Sequence, residues 1–156
     1  AIMGENPWKS SVDLLSEKFE GSAAMVRGTA LEPEARKRYE AISKVRVTPA
    51  CLQSNKHAWQ RASVDGLAAD GSTVVEIKCG ESVHRKTASS GYVPSYYIGQ
   101  LQHILAVTEL PCIDFFCWLP GLQDIHLRVE RDDPYIARLI VTEQAFWQQI
   151  IKQKRL

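Results

Sequence analysis

Ser63-Val64-Asp65-Gly66-Leu67-Ala68-Ala69-Asp70-Gly71-Ser72-Thr73-Val74-Val75-Glu76-Ile77-Lys78 is the stretch on which the reading of this chain turns. Asp70-Gly71 is a hairpin signal, because a tight turn needs residues that tolerate positive φ. Thr73 to Lys78 is rich in β-branched residues and reads as a strand returning from that turn, with His57 to Leu67 as its partner. Side chains alternate along a strand, so Glu76 and Lys78 share a face while Ile77 points into the core. The hairpin brings Asp65 close to Glu76. Two carboxylates and an ammonium are then expected to converge at one sheet surface.

Working outward, the preceding stretch has a different period. Asn6-Pro7 is a turn signal, and Ser10 or Ser11 can cap a short helix to about Gly21 with Val12, Leu15 and Phe19 inward. A second helix runs from about Ala23 to Ser43, where Leu31, Ala35, Tyr39 and Ile42 follow the helical period. Pro33 either kinks that helix or opens a restart. Val45 and Val47 alternate with polar residues until Pro49 breaks the run. After the hairpin, Gly80 to Ser95 reads as a long polar loop carrying His84, Arg85 and Lys86, and loops of that length are often functional. Tyr96 to Thr108 follows as a helix with Tyr97, Leu101, Ile104 and Leu105 on one side. Cys112–Leu119 and Leu122–Glu130 form a hairpin about Pro120-Gly121, and Asp132 to Lys154 is amphipathic, with Tyr135, Leu139, Phe146 and Ile150 inward. The order α, α, three strands, α, two strands, α predicts an α/β protein with a central mixed β-sheet flanked by helices.

The bulk properties set limits on this picture. At 156 residues, with 45% hydrophobic and 24% charged, the chain can bury a real core as one domain, and no repeat or linker divides residues 1–156. A formal charge of +1 does not point to a polyanion partner, so any basic surface has to be local. The four cysteines, at 51, 79, 112 and 117, form no C-x-x-C pair and have no histidine at zinc spacing; free thiols in a reducing cytoplasm are the better reading. No apolar run approaches the ~20 residues of a membrane helix, and no signal peptide is visible. The chain begins at Ala1 without an initiator methionine and reads like the inside of a longer protein.

Asp65, ten residues, Glu76, one residue, Lys78 is a pattern suited to phosphodiester hydrolysis. Mg²⁺ takes hard oxygen ligands and keeps several waters, so two carboxylates and a backbone carbonyl such as that of Ile77 make a sensible site, with Mn²⁺ as a substitute. The ion would acidify a bound water and neutralise phosphoryl charge, and Lys78 could orient that water and add positive charge. With Glu and Lys at roughly 6% each, an isolated E-x-K arises by chance every few hundred residues. Here it falls on a β-branched strand with an aspartate one hairpin upstream. The alternative is a surface Glu–Lys pair worth under ~1 kcal/mol.

Further segments agree with the metal-site reading. Ile2-Met3-Gly4-Glu5-Asn6-Pro7-Trp8, Arg27-Gly28-Thr29-Ala30-Leu31-Glu32-Pro33-Glu34-Ala35-Arg36, Ser63-Val64-Asp65-Gly66-Leu67, Val75-Glu76-Ile77-Lys78-Cys79 and Val93-Pro94-Ser95-Tyr96-Tyr97-Ile98-Gly99-Gln100-Leu101-Gln102-His103 occur in that order. Together they resemble the lambda-type phage exonuclease (viral recombinase) family, within the restriction-endonuclease-like nuclease superfamily, nearly end to end. The resemblance implies a single nuclease domain acting as a Mg²⁺-dependent exonuclease that digests one strand of duplex DNA from a 5′ end. It implies work in phage or prophage recombination in a bacterial cytoplasm, with an annealing protein taking up the single strand and ring-forming homo-oligomers. Asp65 and Glu76 match the metal-binding carboxylates, Ile77 the carbonyl donor and Lys78 the catalytic lysine.

Glu32 matches a helix carboxylate facing the metals, or else closes a capping box with Thr29. Gln100 matches a glutamine near the scissile and terminal phosphates, and Ser63 a phosphate-contacting serine, though a strand serine is more often a solvated hydroxyl. Arg85 and Lys86 are placed to touch DNA backbone or simply to solvate their loop. His103 reads as a packed helix residue. The family also carries an Arg and a Ser, upstream of the segment matching Ile2-Met3-Gly4, that grip the 5′-phosphate; this sequence does not include that stretch. Two rival readings remain: an internally cutting endonuclease of the same superfamily, and a non-catalytic DNA-binding module that keeps the fold.

Overall fold

The structure, a computed structural model, describes residues 23–154; the short helix expected before Gly21 lies outside them. The elements are α1 (Ala23–Ser43), β1 (Val47–Gln53), β2 (Arg61–Ala68), β3 (Val74–Lys78), α2 (Glu81–Ser90), α3 (Ser95–Thr108), β4 (Cys112–Cys117), β5 (Ile125–Glu130) and α4 (Asp133–Lys154). The five strands form one sheet in sequential order, antiparallel throughout except where β3 runs parallel to β4. A parallel pair needs a crossover, and α2 with α3 supplies it. The α/β architecture expected from the sequence is the one found.

Two cores sandwich the sheet. On one face Ala35 and Tyr39 of α1 meet Val47, Ala68, Val75, Ile77 and Phe116. On the other, Leu101, Ile104 and Leu105 of α3 and Ile136 of α4 meet Val64, Val74, Ile113 and Phe115. Fully buried side chains of this size contribute ~1.5–3 kcal/mol each, so the central strands are the stable part of the domain. β4 is buried along almost its whole length, as a central parallel strand requires. Its one charge, Asp114, accepts a hydrogen bond from Tyr39 Oη at 2.7 Å and lies 3.0 Å from His126 Nε2.

Three local expectations are corrected. Gly80–Ser95 is not an open loop: residues 81–90 form α2, with Val83, His84 and Thr87 buried on one face and Gly91 closing it at φ 74°, its N–H donating to the Thr87 carbonyl. Few apolar residues mark that face, which is why its period is faint in the sequence. Pro33 does not open a restart, since α1 runs through it. It sits exposed within a continuous helix whose packing on the sheet outweighs the one missing N–H. Ile42, expected inward, is 38% exposed near the helix end.

A further correction concerns the β1–β2 pair. Pro49 does not end β1. Thr48 pairs with Leu67 and Ala50 with Val64, so Asp65 and Gly66 of β2 stand opposite Pro49 alone. This is a β-bulge, and a proline without an N–H is tolerated there because no ladder bond is required of it. Only Gly66 and Leu67 of β2 pair with β3. Beyond the bulge β2 follows β1 and departs from β3, and its start, expected near His57, falls at Arg61 behind a tight turn over residues 54–60.

Candidate active site

A cleft opens in the fork where β2 leaves β3. It has a volume of about 440 Å³ and is lined by Gly28, Thr29 and Glu32 of α1, Asp65, the run from Glu76 to Gly80, and Val83 and Tyr97. The carboxylates and the Lys78 ammonium therefore meet in an opening of the sheet. α1 reaches in from one side and α3 from the other.

Gly66 makes the fork possible. A Cβ there would lie 2.6 Å from Val47 Cγ2 and 2.7 Å from Val75 Cγ1, so only glycine lets β1, the bulge and β3 come this close. With the bulge set, Asp65 Oδ2 accepts the backbone N–H of Ile77 at 2.7 Å. Arg36 fixes the backbone of the same residue, donating from Nε to the Asp65 carbonyl at 2.7 Å, while its other arm pairs with Glu32 one turn back. Ile77 buries its side chain against α1 yet lines the cleft, so it presents its backbone there.

Glu76 is the unusual group. It is 2% exposed in a central strand. Its Oε1 accepts Lys78 Nζ at 2.5 Å and Gln100 Nε2 at 2.7 Å. Its Oε2 is buried with no hydrogen-bond partner among the described residues. A buried oxygen in that condition costs ~1–3 kcal/mol or more unless something electropositive reaches it. Burial, and then the nearby Asp65 carboxylate, push the Glu76 pKa up against the pull of Lys78. Burial alone would discharge Lys78, but the Glu76 carboxylate more than offsets it and raises that pKa, keeping the ammonium charged. Lys78 Nζ also sits 4.7 Å from the centre of the Tyr97 ring.

Glu32 shares the cleft, and burial followed by the Asp65 charge raises its pKa. Its capping-box reading fails because Thr29 lies inside α1 and not at its start. Cys79 also faces the cleft. Burial first, then the charges of Glu32 and Asp65, push its thiol up to about 12, so it is no ready nucleophile.

No group of three or more His, Cys, Asp or Glu side chains stands ready as a metal cage among the described residues. The donor set nonetheless fits a hard divalent ion that keeps much of its water: Asp65, the orphaned Glu76 Oε2, the Ile77 backbone, and Glu32 across the cleft. An ion there would supply the partner that Oε2 lacks.

The structure thus brings together Asp65, Glu76, Ile77, Lys78 and Glu32, with Gln100 bonded to their centre. It keeps three other candidates apart. Ser63 is exposed on β2 with Oγ 3.5 Å from Cys51 Sγ. Arg85 and Lys86 lie on the exposed side of α2, where Lys86 Nζ sits 5.1 Å from the Tyr96 ring centre. Arg36 and Tyr97 went unassigned in the sequence. The four-residue step from Glu32 to Arg36 was the available signal for the first; Tyr97 looked like core.

The model of the YqaJ-like viral recombinase domain matches residues 1–111. The uncharacterized protein YqaJ of Bacillus subtilis (strain 168) is 29% identical over 157 residues, which cover 94% of this chain and 49% of that protein, so the chain spans about half the length of this curated relative. Among solved structures, the alkaline exonuclease LHK-Exo from Laribacter hongkongensis is similar with a TM-score of 0.78 at 34% identity, over 92% of this chain and 76% of that one. Its complex with dAMP gives 0.80 at 32%, over 92% and 78%. A phage related exonuclease from Haemophilus somnus 129PT has the same fold, with a TM-score of 0.66 at 15% identity over 92% and 79%. Because the domain model spans well over half of the sequence, this chain belongs to the YqaJ-like viral recombinase domain family.

Proposed function

We propose that the chain is the nuclease domain of a recombination exonuclease, a divalent-metal-dependent deoxyribonuclease that removes nucleotides from a 5′ end of duplex DNA. The observation that carries this reading is the buried, unpartnered Oε2 of Glu76 beside Asp65. Family membership and the likeness to LHK-Exo, an alkaline exonuclease also solved with dAMP, support it. The single strand left behind would go to an annealing partner, and the four free thiols suit a reducing bacterial cytoplasm. Ring-like assembly of several copies around the duplex belongs to the same proposal. Among the described residues no helix is long and apolar enough to cross a membrane.

Asp65, Glu76 and the Ile77 carbonyl would hold Mg²⁺ or Mn²⁺, with Glu32 opposite. When bound, the ion supplies Lewis-acid charge at the phosphoryl oxygens and acidifies a water. The chain's own groups do the rest. Lys78, held charged by Glu76, stabilises negative charge as it grows on the scissile phosphate. Gln100 donates to Glu76 Oε1 and so aims Oε2 into the cleft. Arg36 holds the Asp65 backbone and draws Glu32 aside. Ser63, Arg85 and Lys86 would touch phosphates away from the reacting centre, giving sequence-independent, salt-sensitive affinity.

The test is product length over time on linear duplex with one 5′ end blocked and divalent ion present. Mononucleotides released only from the free 5′ end support reaction and direction together. Linearised closed circular duplex would point instead to internal cutting, and no cleavage of any DNA to a binding module.

A further inference from the structure

A second cavity, of about 500 Å³, is lined by Trp59, Phe146 and Trp147 together with Gln60, His103 and Glu143. The last three form a connected set of polar groups. Gln60, 1% exposed, donates from Nε2 to Glu143 Oε2 at 2.8 Å. The other oxygen of that carboxylate meets His103 Nδ1 at 2.5 Å, and His103 Nε2 lies 2.8 Å from the Arg61 carbonyl. These bonds turn the Gln60 nitrogen toward Glu143 and leave Gln60 Oε1 buried with no hydrogen-bond partner among the described residues. Such an acceptor calls for a donor.

The elements that place the cleft also place this recess. His103 follows Gln100 by three residues on α3, the spacing that sets side chains next to each other on one helix face. Arg61 precedes Asp65 by four residues on the same strand. The recess thus starts one helical turn from the carboxamide that braces Glu76.

We propose that this recess receives the base of a nucleotide whose phosphate is held at the cleft, stacking it on the tryptophan walls while its exocyclic amine donates to Gln60 Oε1. The ligand class is an amino-bearing nucleobase: adenine, cytosine or guanine. Flat aromatic walls accept the π face of any base, and the orphaned carbonyl favours a projecting amine, since the one imide N–H of thymine is flanked by two carbonyl oxygens that it would repel. An aliphatic protein side chain would fill the walls and leave that carbonyl unmet. The inference rests on the nuclease reading for its ligand, and its test does not depend on cleavage.

The experiment is calorimetric titration of the full chain, in Mg²⁺, with dAMP, dTMP and 2-deoxyribose 5-phosphate. Thymine carries no exocyclic amine, so the expected order of affinity is dAMP, then dTMP, then the sugar phosphate. Trp147→Ala should weaken dAMP on the order of tenfold and leave the sugar phosphate unchanged, whereas Trp147→Phe should keep most of the binding. Gln60→Met should abolish the preference for dAMP over dTMP, and it carries the test if Trp147→Ala fails to fold. Equal binding of dAMP and the sugar phosphate by the wild type overturns the proposal. So does a Trp147→Ala chain that sediments at lower mass than wild type and binds dAMP unchanged, because the walls would then be a contact between copies. Base-dependent binding in a chain that cuts no DNA would keep the recess and end the nuclease reading; cleavage without base dependence would do the reverse.

Discussion

Replacing Gly66 by alanine tests whether the bulge places the active carboxylate. The added Cβ would stand 2.6 Å from Val47 Cγ2, 2.7 Å from Val75 Cγ1 and 2.9 Å from Val47 Cβ. Carbon pairs prefer ~3.5–4.0 Å, so the strands must separate by nearly 1 Å. Neither valine can give way, since Val75 is 0% and Val47 3% exposed. Overpacking of this kind costs ~1–3 kcal/mol, or about 3–10 °C in Tm for a domain of this size. The same shift carries Asp65 away from the Ile77 amide it now accepts at 2.7 Å. A misplacement near 1 Å can cost ~100-fold in rate, so activity should fall well beyond what the folded fraction explains. Thermal melts and initial rates on linear duplex, both at a temperature where the variant is folded, separate the two effects. Val75→Ala removes one of the opposing methyls, so the double variant should be less destabilised than the sum of the singles. A Gly66→Ala chain that melts and cuts like wild type, or a strictly additive double variant, would refute the reasoning.

Asp65→Asn and Glu76→Gln should each reduce cleavage at least ~1,000-fold while circular dichroism stays native, and turnover at the wild-type rate in either would remove the metal-site model. Mg²⁺ or Mn²⁺ at about 100 times its Kd should stabilise the wild type by ~2.7 kcal/mol, read as a rise in melting temperature that EDTA reverses; the same rise in Glu76→Gln would mean the ion binds elsewhere. Gln100→Ala frees one donor from Glu76 Oε1, so kcat should drop with little change in KM, and the opposite split would assign Gln100 to substrate binding. Burial would lower the His103 pKa, but its bond to Glu143 prevails and the folded value is raised. Its contribution to stability is therefore complete below the unfolded value of ~6.5 and is lost as pH rises through the higher folded value. Melting curves from acid to alkaline pH should show wild type losing its advantage over His103→Gln in that window, and parallel curves would count against the linkage.

The sequence exposes the parts of the site that depend on covalent neighbourhood. Glu76, Ile77 and Lys78 are three consecutive residues of a β-branched strand, and a period of two is enough to put the first and third on one side. Asp65 is one hairpin away, so its nearness follows from the Asp70-Gly71 turn. The form of their meeting was hidden because it depends on a missing partner: the unpaired step at Pro49 shifts the register, opens the fork and lets α1 contribute Glu32 and Arg36. Nothing local to any of these residues shows that. Helix α2 was missed for another reason, since its inward face is a valine, a histidine and a threonine, too polar to show a helical period beside Arg85, Lys86 and three serines.

The buried Glu76 ties these levels together. A central strand between two cores would be more stable with an apolar residue at position 76, and the neighbouring positions 74, 75 and 77 are all apolar and buried. The fold instead holds a carboxylate there and provides two donors for one oxygen only. Adding a third donor for Oε2 would stabilise the free chain, but it would also fill the position in which a divalent ion gains most from binding. The site is therefore least satisfied where its proposed chemistry needs it open. The surrounding sheet, with β4 beside β3 and anchored by Phe115 and Phe116, is stable enough to hold that carboxylate in place.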